Sequence, residues 1–101
     1  MRHSYEFTSF AASEAAKRLG ERIRQARKAQ HLTLKALEHQ CRVHRTTLSR
    51  LEKGDPNVTF AVVLMVLEAL GELQELELVL SQPHVPRTKR EGAVVELDTD
   101  F

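Results

Sequence analysis

The sequence predicts an all-α domain of four to five short helices, with one short strand near its C-terminal end. Three observations predict it. Apolar residues recur three and four apart through much of residues 16–70, the spacing of one helix face. Thr33 stands just before one such stretch, where a helix takes its N-cap, and Gly54 just after another, where a helix stops. A single run, Leu76-Glu77-Leu78-Val79-Leu80, alternates as a strand does.

Residues 1–8 carry no pattern. A first helix is expected from about Ser9 to Ala29, where Ala16, Leu19, Ile23 and Ala26 form one apolar stripe. Arg and Lys crowd its later turns, which suits a helix C-terminus. Gly20 marks either a break or a true start near Leu19. His31 falls where a left-handed cap residue is wanted; Gly is usual there and His is tolerated. Thr33 caps a second helix, Leu34 to Cys41, with Leu34, Leu37 and Cys41 inward. Arg42-Val43 forms a tight turn with Val43 pointing in. A third helix runs from His44 or Arg45 to Lys53, with Leu48 and Leu51 buried. Asp55-Pro56-Asn57 is a loop by composition.

A fourth helix, Thr59 to Leu70, is apolar nearly all round, so it needs cover on more than one side. A domain of this size covers such a helix poorly, which argues for a dimer interface through Phe60 and Leu64. A central core helix is the alternative. The strand at 76–80 would pair with its own copy across the same dimer through Leu76, Leu78 and Leu80, because a lone strand leaves backbone groups unpaired. The alternative is that residues 72–80 extend a helix. Pro83 and Pro86 end the element, and 87–101 read as a flexible tail with a short apolar patch at Ala93-Val94-Val95 and an acidic, aromatic end at Phe101. The expected organisation is an N-terminal extension over 1–12, a helical domain over 13–72, a dimerisation strand over 73–82 and a tail over 83–101.

The chain has 101 residues, 42% of them hydrophobic, which is enough for one modest core. One cysteine excludes an internal disulfide framework and fits a reducing cytoplasm. The N-terminus lacks an apolar signal core, and Val58 to Leu70 is too short to span a bilayer, so no membrane role is expected. The net charge of +1 hides an asymmetry. Residues 13–55 hold eleven Lys and Arg against five acids; residues 56–80 hold four Glu and no Lys or Arg. His39, Cys41 and His44 are too few for a metal site, and Cys41 fills an apolar helix position. No Gly-rich phosphate loop, nucleophile elbow or carboxylate pair is present, and Ser49 has no base at helix spacing. No enzyme, metal or cofactor is expected.

The third helix carries His44, Arg45, Thr46, Thr47, Ser49 and Arg50 on its wet faces and no acid until Glu52. That composition suits a helix lying in the DNA major groove, which phosphates border on both sides. Leu19-Gly-Glu-Arg-Ile-Arg24, Arg27, Leu32-Thr33, Leu37, Val43, the run Arg45 to Gly54, and Leu67-x-x-Leu70-Gly71 together resemble the Cro/repressor-type (Xre-like) helix-turn-helix family. The resemblance covers about half the chain. It implies a lambda-repressor-like domain whose third helix reads DNA.

By position, the resemblance places His44, Arg45, Thr46 and Arg50 at base edges, and Thr33, Thr47, Ser49 and Lys53 at phosphates. It also implies a structural ion pair between Arg27 and Glu52, tying the first helix to the third. Three departures stand out. Leu34 replaces a common Gln and cannot touch phosphate; Glu38 replaces a small residue and would lean toward Arg42; and Arg42 replaces the usual turn Gly. The later segments are similar to the HipB-like antitoxins, which implies a cytoplasmic, nucleoid-associated homodimer that reads a palindromic operator, represses its own operon and binds a kinase-like toxin. A stand-alone phage-like regulator, and a protein-interaction module keeping the helix pair as scaffold, are the rival readings.

Overall fold

The computed structural model describes residues 9–82. Among the described residues there are five helices and no strand: α1 (Phe10–Ala29), α2 (Leu34–Cys41), α3 (Arg45–Glu52), α4 (Phe60–Leu70) and α5 (Leu73–Glu77). The expected tail at 83–101, with its apolar patch and Phe101, lies outside the described residues.

The helix starts are set by side-chain oxygens. Ser9, Thr33 and Thr59 accept hydrogen bonds from the amides of Ala12, Ala36 and Val62 at 3.0, 3.0 and 3.4 Å. Each satisfies one N–H that the helix itself leaves open, a contribution of ~1 kcal/mol apiece. The helix ends share a different device. His31, Gly54 and Gly71 follow α1, α3 and α4 with φ of 59°, 87° and 78°. The next amide then donates to a carbonyl five residues back: Leu32 to Arg27, Asp55 to Arg50, and Glu72 to Leu67. This Schellman closure turns the chain sharply while satisfying the last carbonyls.

The core is small and drawn from every helix but the last. Ile23, Leu37, Cys41, Val43, Leu48, Leu51, Val66, Leu67 and Leu70 are all buried, with Leu37, Leu48 and Val66 the most completely enclosed. Here α1 packs on α3, α2 packs on both α3 and α4, and α4 also touches α1 and α5. Gly20 neither breaks α1 nor starts it. It lies buried mid-helix, where a Cβ would run into the carbonyl oxygens of Leu51 and Glu52 and come within 2.9 Å of the Gly54 amide nitrogen. The residue is small because the end of α3 passes directly over it. Leu19, assigned to the inward stripe, is instead 38% exposed.

The expected strand at 76–80 is corrected. Residues 73–77 form α5, and 78–80 continue as turns in which Leu78, Val79 and Ser81 donate to the carbonyls three residues back. The reason is visible in the packing. Leu73 and Leu76, three apart, both rest against the core, which is helical spacing. Local turn bonds satisfy the backbone without a partner strand. Helix α4 likewise combines the two readings of it. Val66, Leu67 and Leu70 are buried as in a central helix, while Phe60 is 64% exposed and Met65 also faces solvent.

Candidate nucleic-acid interface

The geometry of the site begins with the turn between α2 and α3. Arg42 adopts φ 60° and ψ 32°, the left-handed region that costs a non-glycine residue ~1–2 kcal/mol. The turn is nonetheless held, because Val43, the next residue, is buried in the core. His44 then caps α3: its Nδ1 accepts from the Thr46 amide at 3.0 Å. That hydrogen bond requires Nδ1 to be unprotonated. The ring is therefore turned onto its own helix, with the Nε2 edge left as the one able to meet a base.

Behind the helix, Arg27 and Glu52 form the buried tie. Arg27 Nε donates to Glu52 Oε2 at 2.7 Å and Nη2 to Oε1 at 3.0 Å, a bidentate pair with both side chains almost fully enclosed. Arg27 Nη1 also donates to the Leu32 carbonyl at 2.8 Å. The hydrogen bond to Glu52 raises the Arg27 guanidinium above its already high ordinary value, against the opposing effect of burial. One residue thus joins α1, the loop before α2 and the end of α3. The pair removes the one acid of α3 from the surface, so the exposed face of that helix is purely cationic and hydroxylic.

On that face Arg45, Thr46 and Arg50 are exposed, Thr47 and Ser49 are half-buried, and Lys53 is exposed at the helix end. Thr33 lies exposed at the start of α2, its hydroxyl oxygen engaged as the cap. Leu48 and Leu51 point into the core, so Thr46 and Arg50, four apart, lie on the opposite side. Glu38 does not lean toward Arg42. It approaches Arg45, 3.8 Å from Nε, because the turn swings the start of α3 back toward α2. At that distance and exposure the pair is a loose one. Arg50 is held more firmly, with Nε 2.8 Å from Asp55 Oδ2. The Asn57 amide first, and then the Arg50 guanidinium, keep the Asp55 carboxyl below the ordinary aspartate value.

Two features escaped sequence reasoning. Asp55 was read only as loop, since nothing in its local pattern marks a partner five residues earlier. Lys35, Glu38, His39, Arg42, Val43 and His44 line one open groove along α2 and the turn; the i, i+4, i+7 spacing of Lys35, His39 and Arg42 could have signalled this cationic row. The expected interface residues on the other side are spread more widely. Phe60, Leu78 and Leu80 are exposed, whereas Leu64 and Leu76 are half-buried.

A short helix anchored from behind by a buried ion pair, with its own exposed side chains limited to cations and hydroxyls, has the charge and shape that suit contact with a nucleic-acid duplex. A family model described as helix-turn-helix matches residues 23–78, more than half of the chain, and the chain belongs to that Xre/Cro-like family of DNA-binding transcription regulators. No curated protein and no solved structure matches it. Among the described residues no helix is long and apolar enough to cross a membrane, and no group of three metal-binding side chains comes together.

Proposed function

We propose that this chain is a sequence-specific transcriptional repressor that works as a homodimer, setting two copies of α3 about 34 Å apart on a palindromic operator. The observation that carries the reading is the exposed set Arg45, Thr46 and Arg50 on an α3 whose acid, Glu52, is neutralised in the interior. In this arrangement Arg45 and Arg50 meet guanine edges, Thr46 meets a thymine methyl or a polar edge, and His44 adds a contact through Nε2. Thr33, Thr47, Ser49 and Lys53 fix the register on phosphates. Repression follows by exclusion, since an occupied operator keeps polymerase off. The protein performs no catalysis and acts in the cytoplasm, on the nucleoid.

The dimer reading is supported by the apolar surface of α4 and the segment after it, where Phe60, Leu78, Val79 and Leu80 are each more than 60% exposed. With no strand to pair, these side chains would meet their copies by packing. The finer reading is a HipB-like antitoxin that represses its own operon and binds a kinase-like toxin; what supports it is the Gly54-Asp55-Pro56 link into the apolar α4, whereas the strand that the resemblance also implied is replaced by α5 and turns. A growth-inhibiting product of the adjacent gene, neutralised by this chain, is the result expected of an antitoxin, and a neighbour without such activity removes that role.

Duplex binding measured against salt tests the main reading. Log affinity should fall linearly with log salt concentration, with a slope steeper than about −3. A helix pair retained only as a protein scaffold would bind weakly with little slope. Arg45→Ala should relax sequence preference by ~1–3 kcal/mol, and Lys53→Ala should weaken all duplexes alike.

A further inference from the structure

We propose that Asp55 is a positioning residue for base reading: it grips Arg50 by Nε and so aims the Nη1/Nη2 fork of the guanidinium at one guanine. The inference rests on the DNA-reading role of α3 and adds to it a residue outside that helix. Three bonds build the grip. Asp55 Oδ2 takes the Arg50 Nε–H at 2.8 Å. Asp55 Oδ1 takes the Asn57 amide at 2.8 Å, so neither carboxylate oxygen is free to turn away. The Asp55 amide donates to the Arg50 carbonyl at 3.0 Å, closing the turn that brings the two side chains together.

The guanidinium has five N–H bonds, and one is spent on Asp55. The Nη1 and Nη2 pair, which matches guanine O6 and N7, has no protein acceptor among the described residues. Arg45 offers the contrast, since its carboxylate neighbour is 3.8 Å away and leaves it free to sweep. Holding a long side chain in its bound geometry before docking reduces the ordering cost of binding. A partly exposed acid beside a DNA-facing helix otherwise repels phosphate. Removing its charge should therefore strengthen binding to arbitrary duplex while weakening the choice of guanine, a pairing of effects that damage to the fold does not produce.

The test selects duplexes from a randomised pool with the full-length protein, and identifies the guanine whose enrichment Arg50→Ala abolishes. Replacing that guanine by adenine or 7-deazaguanine should cost the wild type roughly tenfold or more. Asp55→Asn keeps an oxygen for the Asn57 amide but loses the charge that holds Arg50. It should reduce that discrimination by about threefold or more, with equal or tighter binding to an arbitrary duplex. Undiminished discrimination in Asp55→Asn overturns the proposal. Sharpened discrimination overturns it too, by showing that Asp55 withdraws Arg50 from DNA. If Arg50→Ala changes no preference while Arg45→Ala does, this inference fails and the DNA-reading role of α3 stands; a pool that does not enrich removes both. A readout independent of any variant is the Arg50 Nε–H resonance in the wild-type protein, expected to exchange slowly both free and duplex-bound. Fast exchange in the bound state counts against the grip.

Discussion

The two ends of this small fold are built to different rules. In the half made of α1, α2 and α3, polar side chains at strategic points are committed: Arg27 to Glu52 and the Leu32 carbonyl, His44 to the Thr46 amide, Arg50 to Asp55. In the half made of α4, α5 and the turns after it, the large apolar side chains Phe60, Leu78, Val79 and Leu80 stay exposed beside the acids Glu68, Glu75 and Glu77. The first half has its polar bonds in place before any partner arrives. The second exposes apolar surface that a partner would remove from water. Directional bonds suit a surface that must present a fixed pattern of donors to base edges; non-directional burial suits a surface that must only associate.

The largest way to break the comparison is to attack the tie behind α3. Glu52→Ala leaves the Arg27 guanidinium buried without its carboxylate, a change worth ~3–5 kcal/mol. In a domain with so small a core that loss should lower the thermal midpoint steeply and abolish duplex binding, as read by circular dichroism and anisotropy. A variant that melts like the wild type would mean the pair is decorative and α3 is held by packing alone.

Two glycines give the next contrast. At Gly20 a methyl group meets backbone at the end of α3 that cannot yield, so Gly20→Ala should cost ~1–3 kcal/mol by overpacking and shift α3. At Gly71 nothing lies within 4 Å of an added Cβ, and only the left-handed backbone resists. Gly71→Ala should therefore cost ~1 kcal/mol and leave DNA binding unchanged. Urea melts of the two variants rank them directly, and the reverse order would contradict the close crossing of α1 and α3.

On the apolar side, Phe60→Ser combined with Leu78→Ser should leave the helical content intact, because both side chains are already exposed. The expected effect is on association: a rise of roughly tenfold or more in the dimer dissociation constant by sedimentation, about 1.4 kcal/mol or more. A wild-type chain that sediments as one subunit at every concentration would end the dimer proposal, and with it the reading of a palindrome by paired helices.

What could be read in advance follows the range of each interaction. Thr33, His31 and Gly54 were legible because caps and stops depend on residues three to five apart. The inward positions of Leu37, Leu48 and Leu51 were legible because helical period fixes them, and that of Val43 from its place as the apolar residue of the turn. The role of Gly20 was not, because it depends on a second helix crossing thirty residues later in the chain. The strand at 76–80 was misread because Leu76, Leu78 and Leu80 fit a two-residue period, while the pair that decides the matter, Leu73 and Leu76, fits a helix once the core is there to receive it. The positions facing solvent on α3 could be placed from its buried leucines. Their partners could not: Glu38 near Arg45 and Asp55 on Arg50 come together through turns, whose geometry depends on φ values that no periodicity encodes.

The smallest effect concerns acid. Asp55 is held below the ordinary aspartate value by the Asn57 amide and by Arg50. A carboxyl with a depressed value in the folded state contributes stability above its unfolded value and loses it as pH falls through the folded one. Asp55 is partly open to solvent, so the contribution is modest and screened by salt. The wild type should thus lose slightly more stability than Asp55→Asn between neutral pH and the acid side of the ordinary aspartate range, and the two melting curves should converge there. Because that window lies well below neutrality, the grip on Arg50 is fully formed wherever the protein would meet DNA. Curves that stay parallel down to that range would show that the carboxylate bears no more on the folded state than any solvated acid, and the firm half of the molecule would then end at Gly54 rather than at Asn57.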